Sequence, residues 1–119
     1  VARDAGLQVL IGAPNLILGG SHSGNVSAME LAQQNLVDII SSDYFPQSLL
    51  QSIFIIARFC AQPIYTAMQS VTSNPAKVIR LFHDRGSLEV GKRADLVTVL
   101  DDGVLPRLTS TVSQGCRVA

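Results

Sequence analysis

Five polar residues of this chain stand where an apolar segment gives way to a turn, the place where a side chain can be held firmly and still face solvent. Asp43 follows the apolar run Leu36 to Ile40 and the pair Ser41-Ser42, and a carboxylate just past a strand end can bind a metal ion and take a proton from a bound water. The same residue, ahead of Pro46, can instead be a helix N-cap, an ordinary use of Asp before proline. His22, Ser23 and Asn25 lie in Gly19-Gly20-Ser21-His22-Ser23-Gly24-Asn25, a glycine-flanked loop that runs straight into a helix start. Helix N-termini attract anions through unpaired backbone N–H groups and the helix dipole, so an anion such as phosphate could be held there. The alternative is that these side chains only cap and fold a tight loop. Asn15, after Pro14, either points into the same cleft or is an ordinary turn residue.

Other polar residues invite plainer readings. Tyr44, beside Asp43, lines a pocket or simply packs. Asp38 falls at the start of its strand, remote from any catalytic face, and His83 falls in a cap region near Asp84-Arg85-Gly86. Lys92-Arg93 follows Gly91 between strand-like segments and reads as a solvated turn. Cys60 and Cys116 are far apart and form no CxxC or Cys/His cluster, so neither a zinc knuckle nor a disulfide framework is expected, only two reduced thiols.

The elements that must position the polar residues are legible from periodicity and turn chemistry. Gln8 to Ile11 is a short apolar strand that runs into the turn-forming Gly12-Ala13-Pro14-Asn15. Ser27 and Glu30 have the spacing of a capping box, which predicts a helix from there to about Asn35. Leu36 to Ile40 is a second strand. Pro46 suits a first helical position, and Leu49, Leu50, Ile53, Phe54, Ala57 and Cys60 share one helical face. Pro63 breaks that helix, Ile64 to Val71 forms another, and Asn74 is expected to N-cap a third that ends near Arg85-Gly86. From Ser87 the pattern turns to strands: Leu88 to Val90, Ala94 to Leu100, and a last pair around Thr111 to Ser113 and Arg117 to Val118. Parallel-type α/β units followed by small antiparallel strands predict the end of an α/β barrel, residues 1–86, with part of an appended β-domain, residues 87–119.

Composition excludes several classes of function. The chain has 119 residues, is 47% hydrophobic and balances nine Lys+Arg against nine Asp+Glu, so it can bury a core and offers no field for nucleic acid. Its longest apolar run, Ile53 to Ala57, is far short of the ~20 residues that cross a bilayer, and neither a membrane span nor a secretory leader is visible. Val1 to Gly6 reads as a helix end closed by glycine, so the chain is expected to be the C-terminal part of a longer one.

Gly12-Ala13-Pro14-Asn15, Gly19-Gly20-Ser21-His22-Ser23-Gly24-Asn25 and Ser41-Ser42-Asp43-Tyr44 together resemble the phosphonate-catabolism diphosphatases of the amidohydrolase superfamily. Asn74-Pro75-Ala76 and Gly91-Lys92-Arg93-Ala94-Asp95-Leu96-Val97 are similar to a tail found more widely in that superfamily, among dihydroorotase-like and deacetylase-like members. The resemblance implies a cytoplasmic, metal-dependent hydrolase built on a TIM-like barrel. It would hold two divalent ions, zinc by family habit, and release pyrophosphate from a phosphorylated small molecule, a ribosyl alkylphosphonate triphosphate. It assigns Asp43 the final metal-binding and proton-accepting carboxylate, and His22, Ser23, Asn25 and Asn15 contacts to substrate. The superfamily's His-x-His pair, bridging Lys or acid and further His ligands do not occur here. A barrel takes roughly 250 residues, so the chain alone is expected to be inactive and to self-associate through uncovered strand edges. Arg58-Phe59-Cys60-Ala61-Gln62 departs from the family pattern in a helical connection. Two rivals remain: hydrolysis of a C–N bond by the same kind of metal centre, against which the Gly19 to Asn25 loop argues, and a non-catalytic module.

Overall fold

The computed structural model describes residues 2–19 and 26–119. Two short strands, β1 (Leu10–Gly12) and β2 (Ile39–Ser41), run parallel, with Ile11 opposite Ile40 and Gly12 opposite Ser41. Both strands sit closer to their C-terminal ends than the apolar runs predict. The cause lies at Val9: its N–H is taken by the Asp38 carboxylate at 2.8 Å, and its carbonyl receives both Asp38 N–H and Ile39 N–H at 3.0 and 3.1 Å. A side chain therefore does the pairing that an extra ladder step would have done.

Parallel strands need a crossover, and here it carries α1 (Ala13–Leu18) and α2 (Ala28–Gln33). The first of these corrects the turn expected after Gly12. Pro14 lies in the opening turn, where its missing N–H costs no hydrogen bond, and Ala13, Pro14 and Leu16 are buried against the strands and the next helices. Leu16, at 2% exposure, contributes about 1.5–3 kcal/mol by burial. The capping box predicted for α2 is formed: Ser27 Oγ accepts Glu30 N–H at 3.1 Å and Glu30 Oε2 accepts Ser27 N–H at 2.9 Å. Asn35 closes the helix in the left-handed region at φ 56°, with Leu36 N–H bonded back to Leu31 at 2.9 Å.

The long helix α3 (Ser48–Phe59) follows Pro46 by two residues, with Gln47 rather than Asp43 at its N-cap. Its buried face is turned relative to the all-apolar face predicted. Ser48, Ser52, Ile53 and Ile56 are buried, and Leu49 and Phe54 pack at the margin. Two serines can be buried because each hydroxyl returns to the backbone, Ser52 to Leu49 O at 2.8 Å and Ser48 to Phe45 O. Ile11, Ala13, Leu16, Ala32, Ile40, Ile53, Ile56, Cys60 and Ala67 form one core.

After Pro63 come α4 (Ile64–Gln69) and α5 (Ser73–Val78). Asn74 is inside α5, not its N-cap; Thr72 holds that position, and the Asn74 amide donates instead to Asp38 O at 2.8 Å, tying the helix to the start of β2. The helix also stops earlier than expected. Arg80 takes a left-handed φ of 61° and Leu81 N–H returns to Ala76 O at 2.8 Å, the same closure that Asn35 provides for α2.

The tail is a three-stranded antiparallel sheet, β3 (Leu96–Leu100), β4 (Arg107–Ser113) and β5 (Cys116–Arg117), in the order β3-β4-β5. Gln114 and Gly115, at φ 51° and 80°, make the two-residue turn whose twist suits a hairpin. Residues 88–90 are not a strand. Lys92 is not solvated as its turn context predicts: its side chain is 10% exposed, with Nζ 3.6 Å from the centre of the Phe82 ring and 2.6 Å from Ser87 Oγ. Arg58, in the segment that departs from the family pattern, joins the two halves by donating to Val104 O at 3.1 Å and pairing with Asp101. Cys60 is buried and Cys116 exposed, both as free thiols, and burial pushes the Cys60 thiol pKa up. Among the described residues no helix is long and apolar enough to cross a membrane.

Candidate active site at the strand ends

The parallel register brings the C-terminal ends of β1 and β2 to one edge, and the chain leaves each strand there in a different way. From Gly12 it passes straight into α1, which puts Asn15 on the exposed side of the helix's first turn. From Ser41 it enters a tight turn in which Phe45 N–H bonds to Ser42 O at 3.1 Å. Asp43 is the second residue of that turn and holds a left-handed φ of 53°, a conformation Asp tolerates better than most residues.

Asp43 and Asn15 converge. A side-chain carbon placed on Gly12 would lie 3.3 Å from Asp43 Oδ2 and 3.5 Å from Asn15 Nδ2, so a carboxylate and a carboxamide stand over the same glycine at the end of β1. Both are exposed. Tyr44, next to Asp43, is 75% exposed and therefore is not the packing residue that an aromatic at a strand end suggests.

The turn that carries Asp43 is braced from below. Ser48 is fully buried, and its hydroxyl reaches Ser42 O at 3.4 Å and Phe45 O, the two carbonyls that bracket the turn. Sequence reasoning missed this residue, although a serine on an otherwise apolar helix face is a signal, since a buried hydroxyl needs a partner.

His22, Ser23 and Asn25 lie outside the described residues. The helix they lead into is described, and its first N–H groups are partly spoken for: Glu30 N–H goes to Ser27, and the Glu30 carboxylate sits at the same end. A six-residue helix so capped offers an anion little by itself.

At the opposite ends of the strands, Asp38 accepts from Arg3 Nη2 at 2.6 Å and from Val9 N–H, beside a polar cavity of about 150 Å³ that Arg3, Gln62, Gln69 and Asn74 help to line. This region braces the strands and is remote from Asp43. His83 is an exposed turn residue.

Among the described residues no group of three or more His, Cys, Asp or Glu side chains could hold a metal ion. A carboxylate oxygen is a suitable ligand for zinc and other divalent ions, and Asp43 is exposed at the strand ends, so by its chemistry and accessibility it fits as a single metal ligand.

The model of the amidohydrolase family matches residues 25–117. Over 101 residues the chain is 52% identical to the alpha-D-ribose 1-methylphosphonate 5-triphosphate diphosphatase of Escherichia coli K12, covering 81% of this chain and 26% of that protein. It is 35% identical over 86 residues to an adenine deaminase of Rubrobacter xylanophilus, covering 68% of this chain and 14% of the relative. A crystal structure of an amidohydrolase from Thermotoga maritima superposes with a TM-score of 0.66 at 20% identity, covering 99% of this chain and 38% of that one. The chain thus spans about a quarter of the length of the diphosphatase it matches.

Proposed function

The chain belongs to the amidohydrolase family, and from that premise we propose that it is part of a phosphonate-catabolism diphosphatase releasing pyrophosphate from α-D-ribose 1-methylphosphonate 5-triphosphate. The observation that carries the proposal is the convergence of Asp43 and Asn15 over Gly12 in a chain 52% identical to such a diphosphatase. In the complete protein these strands would be the last of a TIM-like barrel, whose chemistry collects at the C-terminal strand ends.

Asp43 would serve as the final metal-binding carboxylate, and its Oδ atoms would receive the proton of the attacking water. Bound divalent metal, zinc in this reading and two ions in the complete enzyme, would lower the pKa of water and screen phosphate charge. The α-phosphorus gains the water oxygen, the bond from that phosphorus to the bridging oxygen breaks, and pyrophosphate leaves while one phosphate stays on the ribose. The Asn15 amide would donate to a phosphate oxygen. His22, Ser23 and Asn25, supplied by the glycine-flanked loop, would hold the rest of the anion by charge-assisted hydrogen bonds worth about 1.5–3 kcal/mol each. The reading makes the enzyme cytoplasmic, with a phosphorylated small molecule and neither nucleic acid nor membrane as its partner.

The similarity to an adenine deaminase supports one alternative, hydrolysis of a C–N bond at the same kind of centre. One experiment separates them. The complete protein, loaded with zinc, is given ribosyl methylphosphonate triphosphate and, in parallel, adenine and N-acyl compounds. Pyrophosphate release with no ammonia or free amine supports the diphosphatase; the reverse outcome overturns it.

A further inference from the structure

Gly12 ends β1 and stands at the N-cap position of α1 with φ −82° and ψ 131°. Those angles are open to every residue type, so the backbone does not call for glycine. Local preferences favour something else. A strand suits a β-branched side chain, and an N-cap suits Ser, Thr, Asp or Asn, whose oxygen would accept a helix N–H where α1 has no side-chain cap bond. Glycine also loses the most conformational freedom on folding. What the position does demand is space. A Cβ there would lie 3.3 Å from Asp43 Oδ2, 3.7 Å from Asp43 Cβ and 3.5 Å from Asn15 Nδ2, and the first distance is tighter than ordinary van der Waals contact.

We infer that Gly12 is a positioning residue: the place left empty by its missing side chain lets the Asp43 carboxylate lie over the end of β1, on the same glycine as the Asn15 amide. The inference rests on the role proposed for Asp43. From the other side Asp43 cannot easily retreat, because its turn is closed by Phe45 N–H on Ser42 O at 3.1 Å and braced by the buried hydroxyl of Ser48. A methyl group at residue 12 would be relieved mainly by rotating the carboxylate, which moves it off the end of β1.

The test uses the complete protein with Gly12→Ala, Asp43→Asn and the double substitution. Gly12→Ala is expected to lower kcat by about ten- to a hundred-fold, as small misplacements of catalytic groups do, with KM nearly unchanged. Affinity for Co(II), read from its visible absorption, should weaken. The melting temperature should hold or rise, since alanine fits this backbone. In the Asp43→Asn background Gly12→Ala should cost nothing further, because a residue that acts through another shows no independent effect. Wild-type kcat and Co(II) affinity in Gly12→Ala, beside a collapsed Asp43→Asn, would overturn the inference alone. An equal loss in both backgrounds, or a marked fall in melting temperature, would make Gly12 a packing residue and overturn it too. Normal turnover in Asp43→Asn would instead remove the role of Asp43 on which the inference rests.

Discussion

Asp38 and Asp43 bracket the same three-residue strand, β2, and are put to opposite uses. Asp38, just before Ile39, is bound inward by Arg3 and by the Val9 N–H, whereas Asp43, two residues after Ser41, is exposed over Gly12 beside Asn15. One carboxylate fixes the strand and the other is presented by it.

Asp38→Ala should therefore cost stability and spare chemistry. The ion pair with Arg3 is partly exposed, at 42% and 23% for the two side chains, and adds less than ~1 kcal/mol. Loss of the acceptor for Val9 N–H matters more, and the total should be about 1–3 kcal/mol. Urea unfolding measures it, and the turnover of the folded complete protein should be unchanged.

Gly86 gives a second stability prediction. It combines a φ of 94° with close approach, since a Cβ there would come within 2.6 Å of Ala76 Cβ and 3.1 Å of Thr72 O at the start of α5. Gly86→Ala meets left-handed strain and overlap together, so a loss of about 2–4 kcal/mol is expected. An equal melting temperature for the two proteins would contradict it.

The Ser87–Glu89–Lys92 cluster predicts a pH effect. The Ser87 hydroxyl, and then Lys92, hold the Glu89 carboxyl below the ordinary glutamate range. A carboxyl pKa depressed by folding adds stability that is present above the unfolded value and is lost as pH falls through the folded one. The loop around Lys92 should thus loosen only below the ~4.3 of a free glutamate. A carboxyl NMR titration should show Glu89 with a midpoint below that value, moving up in Ser87→Ala.

How much of this was legible in the sequence depends on how local each signal is. The Ser27–Glu30 box was readable because both partners lie within one turn. The stop of α5 was not, since Arg80 carries no mark of the left-handed conformation it adopts, and the eye passes on to Gly86. Asn74 looks like an N-cap beside Pro75, yet its amide is claimed by Asp38 O, 36 residues away. The site divides in the same way. Asp43 at a strand end follows from pattern, but its place over Gly12 depends on the register of Gly12 against Ser41, which no local rule fixes.

By itself the 119-residue chain should be inactive and should self-associate. At the C-terminal ends of its two parallel strands the described residues offer a single carboxylate, Asp43, and β1 and β2 form a two-stranded sheet whose Leu10 is 58% exposed. Parallel sheets are ordinarily covered on both faces and paired at their edges. Light scattering on the purified chain should report assemblies, and zinc should evoke no pyrophosphate release. A dispersed monomer, or release proportional to chain concentration, would contradict this.

The sharpest prediction concerns Asp43→Asn in the complete protein. Asparagine matches aspartate in size and is the other residue that tolerates a left-handed φ, so the turn from Ser42 to Phe45 and its brace from Ser48 should survive the change. What is lost is the negative charge and the capacity to accept a proton at neutral pH. If Asp43 receives the proton of the attacking water, turnover should fall on the order of 10²–10⁴-fold, while substrate affinity changes less because the Gly19 to Asn25 loop is untouched. Metal content measured on the same preparation separates the two roles: full occupancy with collapsed turnover isolates proton transfer, and lost metal identifies the ligand. Near-normal turnover in a fully metallated variant would leave Asp43 as a turn residue whose side chain does no chemistry.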